Sequence, residues 1–360
     1  MSETARTTPH HVITEGPVLL ECADGVATLT LNRPEAANGM NVALMKALYE
    51  AAMACHKYPG LRVVVLKGAG KNFCAGGDIR LMHDLGRAGK QAVALDFWAR
   101  EYRLNAYIHA YPKPYIALLD GIVMGGGVGV SLHGRYRFAG PNYMFAMPEV
   151  GIGFFPDVGA TYALPRLAGA YGMYLALTGA RIRRADAMEL GLATHAVKGG
   201  AEEEIIAALA AGESAEAVAA RFADDAGEAP LKGKDAMIAR YFGHDSLEAV
   251  IAALKAGAES DSFAADTLKG MLTRSPMSMA IACEQVKRGG AMDFKAVMVM
   301  EFRIVSRIVF DNDFYEGVRA LIVDKDNAPR WNPATIAALD QAAIAAHFAP
   351  LARDLTFRGG

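Results

Sequence analysis

Val63-Val-Val-Leu-Lys-Gly-Ala-Gly-Lys-Asn-Phe-Cys-Ala-Gly-Gly-Asp-Ile79 is a short apolar run that breaks into glycines. Ile116-Ala-Leu-Leu-Asp-Gly-Ile-Val-Met-Gly-Gly-Gly-Val-Gly129 repeats that design. Each apolar run reads as a strand buried on both faces. The glycines after it read as a turn that enters a helix. Upstream, Val26-Ala-Thr-Leu-Thr-Leu31 alternates apolar and polar residues and stops at Asn32-Arg33-Pro34, which predicts a half-buried strand closed by a turn. Leu44, Met45, Leu48 and Met53 fall near helical spacing within Val42 to Cys55, so a helix lies between the strands. Strand, helix, strand, helix in this order predicts an α/β fold with crossover connections.

The texture changes near Lys198. Ala201 to Ala229 is rich in Ala and Glu, has Phe222 as its one aromatic, and is punctuated by Gly212 and Gly227. It reads as short surface helices and a linker. Ser246 is placed to cap a helix running through Leu254. Ser275-Pro276 is a stronger start signal, and Gly289-Gly290 closes that helix. Asp293 to Phe310 is apolar at helical spacing. The chain therefore divides into a core at 16–200 and a helical C-terminal region at 201–360, with no evident internal repeat.

At 360 residues the chain has the length of about two domains at ~150 residues each, although one large domain also fits. It can bury roughly three quarters of its unfolded surface without staples. A composition of 52% hydrophobic and 21% charged residues excludes collagen-like, disordered and disulfide-scaffold classes. The 37 basic and 39 acidic residues leave a net charge of −2, so no global field draws nucleic acid or anionic membrane. Any anionic ligand must be held by a local device. Cys22, Cys55, Cys74 and Cys283 form no CxxC pair, and read as reduced, apolar thiols rather than a metal site. Met1 to His11 lacks the apolar stretch of a secretory signal. The longest charge-free apolar run, Gly121 to Leu132, is far short of the ~20 residues that span a bilayer. Together these predict a soluble, cytoplasmic protein.

Several catalytic signatures are absent: no GxSxG elbow, no HExxH, no complete Walker A, and no GxGxxG after a strand. What remains is Phe73-Cys-Ala-Gly-Gly-Asp-Ile79 and Met124-Gly-Gly-Gly-Val-Gly129, each following a buried strand. Glycines at such a junction leave backbone N–H groups bare, and two of them converging on one point make an oxyanion hole. Either stretch alone reads equally well as a tight turn with close helix packing. A third element, Phe145-Ala-Met-Pro-Glu-Val-Gly-Ile-Gly-Phe-Phe-Pro-Asp-Val-Gly159, sets Glu149 and Asp157 among apolar residues. Such a setting raises a carboxyl pKa and suits it to acid or base work near neutrality. On spacing alone, Asp157 also reads as the cap of a helix from Val158 to Leu167, and Glu149 as an ion-paired loop residue.

Leu31-Asn-Arg-Pro34, Cys74-Ala-Gly-Gly-Asp78, the glycine run and Met147-Pro-Glu149 resemble, in order and spacing, the crotonase (enoyl-CoA hydratase/isomerase) superfamily over about residues 16–200. The resemblance implies an α/β fold, a spiral of ββα units with a helical C-terminal region. It also implies that the N–H groups of Gly77 and Gly126 hold a CoA thioester carbonyl. Enoyl-CoA hydratases of the superfamily carry two catalytic glutamates, and the first of those positions is Gly129 here. Phe155-Pro-Asp-Val-Gly159, Asp313-Phe-Tyr-Glu-Gly-Val-Arg-Ala320, Asp324-Lys-Asp326 and Pro329-Arg-Trp331 instead resemble the 3-hydroxyisobutyryl-CoA hydrolase branch, from about Gly25 to Pro333.

That branch implies hydrolysis of a short β-hydroxyacyl-CoA thioester in valine breakdown. It implies substrate contacts at Glu101, Gly126, Glu149 and Asp157, and catalysis by Glu149 and Asp157 with Gly77 and Gly126. Glu149 either attacks the carbonyl or serves as general base for water. Without the resemblance, Glu101 in Trp98-Ala-Arg-Glu-Tyr102 reads as a solvated helix face. Asp78 reads as a helix cap. Glu35 stands where many relatives carry Lys, which leaves Lys67, Lys71, Arg80 and Lys325 as candidates for the CoA phosphates. No metal or cofactor is implied beyond the CoA of the substrate, and no nucleic acid or membrane partner; a homo-oligomer is compatible. The rival readings are an enoyl-CoA hydratase or isomerase with one working carboxylate, and a non-catalytic acyl-CoA-binding protein.

Overall fold

The computed structural model describes residues 11–357, so the reading of Met1 to His11 lies outside the described residues save its last. The strands are β1 (His11–Ile13), β2 (Val18–Ala23), β3 (Val26–Leu31), β4 (Val63–Gly68), β5 (Tyr115–Leu119), β6 (Ile122–Met124), β7 (Tyr136–Ala139), β8 (Met144–Ala146), β9 (Ile182–Arg183) and β10 (His195–Ala196). The chain forms two compact units interleaved along the sequence. One comprises residues up to Gly77, Tyr107–Phe145 and Ile182–Pro230, and the other Asp78–Ala106, Ala146–Arg181 and Leu231 onward.

The strands lie in the first unit, save Ala146 at the end of β8. Seven form a sheet in the order β1-β2-β3-β4-β5-β7-β10, and three form a smaller sheet in the order β6-β8-β9. β1, β2 and β3 pair antiparallel, and from β3 onward the large sheet is parallel, with Val26 opposite Val63 and Leu29 opposite Leu66. The chain passes from the large sheet into the small one between β5 and β6, turning at Gly121 with φ +69. A Cβ there would lie 2.0 Å from the Lys71 carbonyl oxygen, so only glycine fits. β7 and β8 repeat the alternation between sheets. β6 escapes sequence reading because three residues are too few to show a period.

The Val42–Lys57 helix starts at Asn41, whose side chain accepts from Leu44 N–H at 2.9 Å, and it buries Leu44, Met45, Leu48 and Cys55. The Glu202–Ala210 and Ala215–Arg221 helices are not the surface-and-linker stretch expected. Ile205, Leu209, Val218 and Phe222 pack with Val65, Ile116 and Phe138, so these helices cover the sheet. Alanine-rich composition hid that apolar stripe, because small side chains contrast weakly with the polar face.

The second unit is helical. Ser246, Asp261, Ser275 and Asp293 cap the helices Leu247–Gly257, Ser262–Met271, Pro276–Gly289 and Phe294–Ile308 with side-chain oxygens on backbone N–H groups, two of them as expected. Trp98 stacks on Phe154 at 5.5 Å between ring centroids and meets Phe314 edge-on at 6.1 Å. The C-terminal motif that begins at Asp313 is scaffolding. Asp313 accepts from the Ser275 hydroxyl at 2.6 Å and from Asn332 N–H at 2.7 Å, while Arg319 binds Glu316, Asp324 and Asp326. Two glycines let the Asn312–Val318 helix touch the Glu149–Ile152 turn. A Cβ on Gly153 would sit 1.9 Å from the Asp313 carbonyl oxygen, and one on Gly317 2.3 Å from the Ile152 carbonyl carbon. Among the described residues no helix is long and apolar enough to cross a membrane.

Gly317→Ala is expected to destabilise the protein by about 1–3 kcal/mol through overpacking against that turn. Thermal melting checks it, and an unchanged melting temperature would mean the contact yields freely.

Candidate active site

In the first unit, the stretch Cys74 to Gly77 runs beside β6, with Cys74 N–H donating to the Ile122 carbonyl at 2.9 Å and Met124 N–H to the Cys74 carbonyl at 3.0 Å. Gly76 has φ +116, and a Cβ on Gly127 would lie 2.6 Å from the Cys74 carbonyl oxygen. Glycine is therefore required for the two stretches to approach one another. Gly126 is the first residue of the four-residue Gly126–Gly129 helix. Among the described residues neither Gly77 nor Gly126 donates its N–H to a backbone carbonyl. Gly129 is buried in that short helix and supplies no acid.

In the second unit, the Gln91–His109 helix carries Trp98, Glu101, Tyr102 and Asn105 at helical spacing, all at most 2% exposed. Glu101 is thus not on a solvated face. Its aromatic neighbours Trp98 and Tyr102 define the stripe on which it falls. Glu101 Oε1 and both amide atoms of Asn105 are buried without a hydrogen-bond partner. Glu149 opens its turn buried, with Oε2 unpartnered and no ion pair, which overturns the loop-residue reading. Burial, reinforced by the nearby Asp157, raises its pKa well above the usual carboxylate range.

Asp157 is 5% exposed and accepts from the Tyr102 hydroxyl at 2.9 Å. Burial pushes its pKa up to about 7, while the Tyr102 hydrogen bond pulls the other way. It does not cap the next helix. That helix is Ala160–Ala163, its N-cap is Gly159 without a side-chain bond, and it gives way to the Leu164–Arg166 turn at Pro165. Asp78 does cap, accepting from Leu81 N–H at 3.2 Å. Burial and Asp157 push the Glu301 pKa up to about 8. Sequence reading passed over Glu301, although a signal existed. It lies on the stripe of Val297, Met298, Ile304, Val305 and Ile308, where a solvated glutamate does not belong. Of the phosphate candidates, Lys67 is paired with Glu203 at 2.5 Å, whereas Lys71, Arg80 and Lys325 are exposed and have no ion pair among the described residues.

A model of the enoyl-CoA hydratase/isomerase family matches residues 26–348. The chain belongs to that family. Within the family, it is 39% identical over 355 residues to the mitochondrial 3-hydroxyisobutyryl-CoA hydrolase of Xenopus tropicalis, covering 95% of this chain and 91% of that protein. The Homo sapiens protein of the same name is 37% identical over 353 residues, covering 94% and 90%. Two solved structures are also similar. One, described as a carnitinyl-CoA dehydratase from Mycobacterium thermoresistibile, has a TM-score of 0.90 and 39% identity, covering 96% of this chain and 99% of its own. The other, described as an enoyl-CoA hydratase from Rhodobacter sphaeroides 2.4.1, has a TM-score of 0.89 and 36% identity, covering 95% and 100%. The α/β family fold with its C-terminal helices is therefore the fold of this chain.

An acid whose pKa folding raises contributes stability that is complete below its unfolded value near 3.8 and lost as pH rises through about 7. Glu101, Glu149 and Glu301 act with the same sign. The melting temperature is expected to fall between pH 5 and pH 8, and Asp157→Asn to fall less. Equal pH dependence in parent and variant would remove Asp157 from the set of buried acids.

Proposed function

We propose that this protein hydrolyses the thioester of a short β-hydroxyacyl-CoA, 3-hydroxyisobutyryl-CoA above all, giving 3-hydroxyisobutyrate and CoA in valine breakdown. One observation carries the choice among reactions of the family: Glu149 is a buried, partly unpartnered carboxylate, while the other position where hydratases carry a catalytic glutamate is Gly129. The names of the 3-hydroxyisobutyryl-CoA hydrolase relatives support it.

The N–H groups of Gly77 and Gly126 donate to the thioester carbonyl oxygen and stabilise the charge that develops there. Glu149 acts by one of two routes. It attacks the carbonyl carbon, expelling CoA thiolate and leaving a mixed anhydride that water opens. Or it takes a proton from water, whose oxygen attacks instead; the C–S bond then breaks, and the departing CoA thiolate recovers the proton from Glu149. Both routes need the carboxylate form. Glu101 contacts the substrate, and Asp157, with Tyr102 behind it, addresses the β-hydroxyl. Neither route calls for a metal or redox cofactor. The descriptions of the two similar structures favour a second reading, addition or removal of water at an enoyl-CoA. For location we propose the cytoplasm from composition, against the word mitochondrial in the relatives' names, and cell fractionation decides.

Release of free thiol from several acyl-CoAs, read beside enoyl absorbance, tests the function. Thiol release fastest on 3-hydroxyisobutyryl-CoA is expected; a change of enoyl absorbance without thiol would establish the hydratase reading, and neither signal a binding protein. Glu149→Gln is expected to keep acyl-CoA binding and lose about 10²–10⁴-fold in turnover. Turnover within a few-fold of the parent would assign the chemistry elsewhere. Asp157→Asn is expected to lower kcat/KM on 3-hydroxyisobutyryl-CoA far more than on isobutyryl-CoA, which lacks the hydroxyl. Equal losses on both would make Asp157 a proton-transfer group.

A further inference from the structure

The turn that carries Asp157 has a backbone shape its own residues disfavour. Val158 has φ +51, the left-handed region that a β-branched residue avoids, and Gly159 follows at +89. Such a conformation persists only where its surroundings over-determine it. Two buried side chains of the C-terminal helices do so here. Glu301 accepts the Gly159 N–H on both carboxylate oxygens, at 2.9 and 3.2 Å, and the Thr161 N–H at 3.2 Å. Gln285 donates through Nε2 to the Pro156 carbonyl at 2.5 Å and to the Thr161 hydroxyl at 3.1 Å. Both side chains are fully buried. Asp157 lies between these anchor points, and its carboxylate accepts from the Tyr102 hydroxyl.

Glu301 is an expensive clamp. It forms no ion pair with lysine or arginine among the described residues, and Asp157 and Glu101 are its charged neighbours. A carboxylate buried beside other carboxylates costs stability that a neutral acceptor would not. Groups held in that condition cluster at working sites.

We propose that Glu301 is a positioning residue for the thioester hydrolysis: with Gln285 on the other side of the turn, it fixes the backbone at Pro156–Thr161 and so sets where the Asp157 carboxylate meets the substrate. The inference rests on the hydrolase reading and on the role given to Asp157. It assigns the helical C-terminal region a part in the reaction without any contact to substrate.

The test is a double-mutant cycle read by single-turnover thiol release from 3-hydroxyisobutyryl-CoA, with circular dichroism melting of each variant. Glu301→Gln is expected to lower kcat/KM by about tenfold or more. In an Asp157→Asn background the same change is expected to cost less than about threefold, because the turn then has no carboxylate to aim. A general loss of structure would instead cost the same factor in both backgrounds. The proposal is overturned by losses that multiply, or by Glu301→Gln within about twofold of the parent. Should Glu301→Gln fail to fold, Gln285→Met removes the opposite clamp and is read in the same cycle with the same two outcomes. A parent that releases no thiol overturns the hydrolase reading itself, which separates the two failures.

Discussion

The carboxylate of Asp157 lies under the Tyr102 hydroxyl, on a turn held between Glu301 and Gln285, in surroundings where ionisation is costly. Much of the second unit can be understood from that constraint. Glu101, Glu149, Asp157 and Glu301 are all at most 7% exposed, and none forms an ion pair with lysine or arginine among the described residues. Desolvating an unpaired carboxylate costs several kcal/mol, so such groups keep their protons to higher pH than in water. The result is a set of acids whose pKa values all lie above the usual carboxylate range. Trp98, Phe154 and Phe314 pack as a buried aromatic cluster, and the close approaches at Gly153 and Gly317 fix the turn that presents Glu149.

The glycine stretches of the first unit answer a different demand. A backbone N–H serves as a donor only if no carbonyl has claimed it and no Cβ crowds it. Gly77 and Gly126 meet the first condition, and a Cβ on Gly127 would lie 2.6 Å from the Cys74 carbonyl oxygen, so the two glycine stretches pack closely. Backbone donors suit a developing oxyanion because they are rigid and need no reorganisation when charge appears. Side-chain acids must instead be tuned by burial. The proposed donors lie on glycine stretches beside β6, while the buried acids lie on the Gln91–His109 and Phe294–Ile308 helices and on the turns at Glu149 and Asp157.

Much of this was legible in the residues. Two apolar runs ending in glycines predicted the parallel strands β4 and β5, and Ser246 and Ser275 marked helix starts by their capping chemistry alone. The Pro-Glu and Pro-Asp stretches stood out as acids in apolar company. These are local signals, since periodicity, caps and turn residues act over a few positions of chain. The order of motifs carried the family reading too, because it depends on residue identity and spacing and on nothing folded.

What the sequence could not determine was long-range. Glu101 reads as a surface residue until its helix is packed, because only the neighbours brought in by folding decide which stripe is buried. Asp157 reads as a helix cap until the Tyr102 hydroxyl arrives from 55 positions away to bind it. Glu301 acquires its role only when a helix more than a hundred residues downstream meets the amides of Gly159 and Thr161. Residue types and their spacing determined the fold class and named most of the candidate acids. The pKa of each acid, its partners and the strain in the turn that carries Asp157 were decided by tertiary packing, because desolvation and hydrogen bonding depend on what lies nearby in space rather than along the chain.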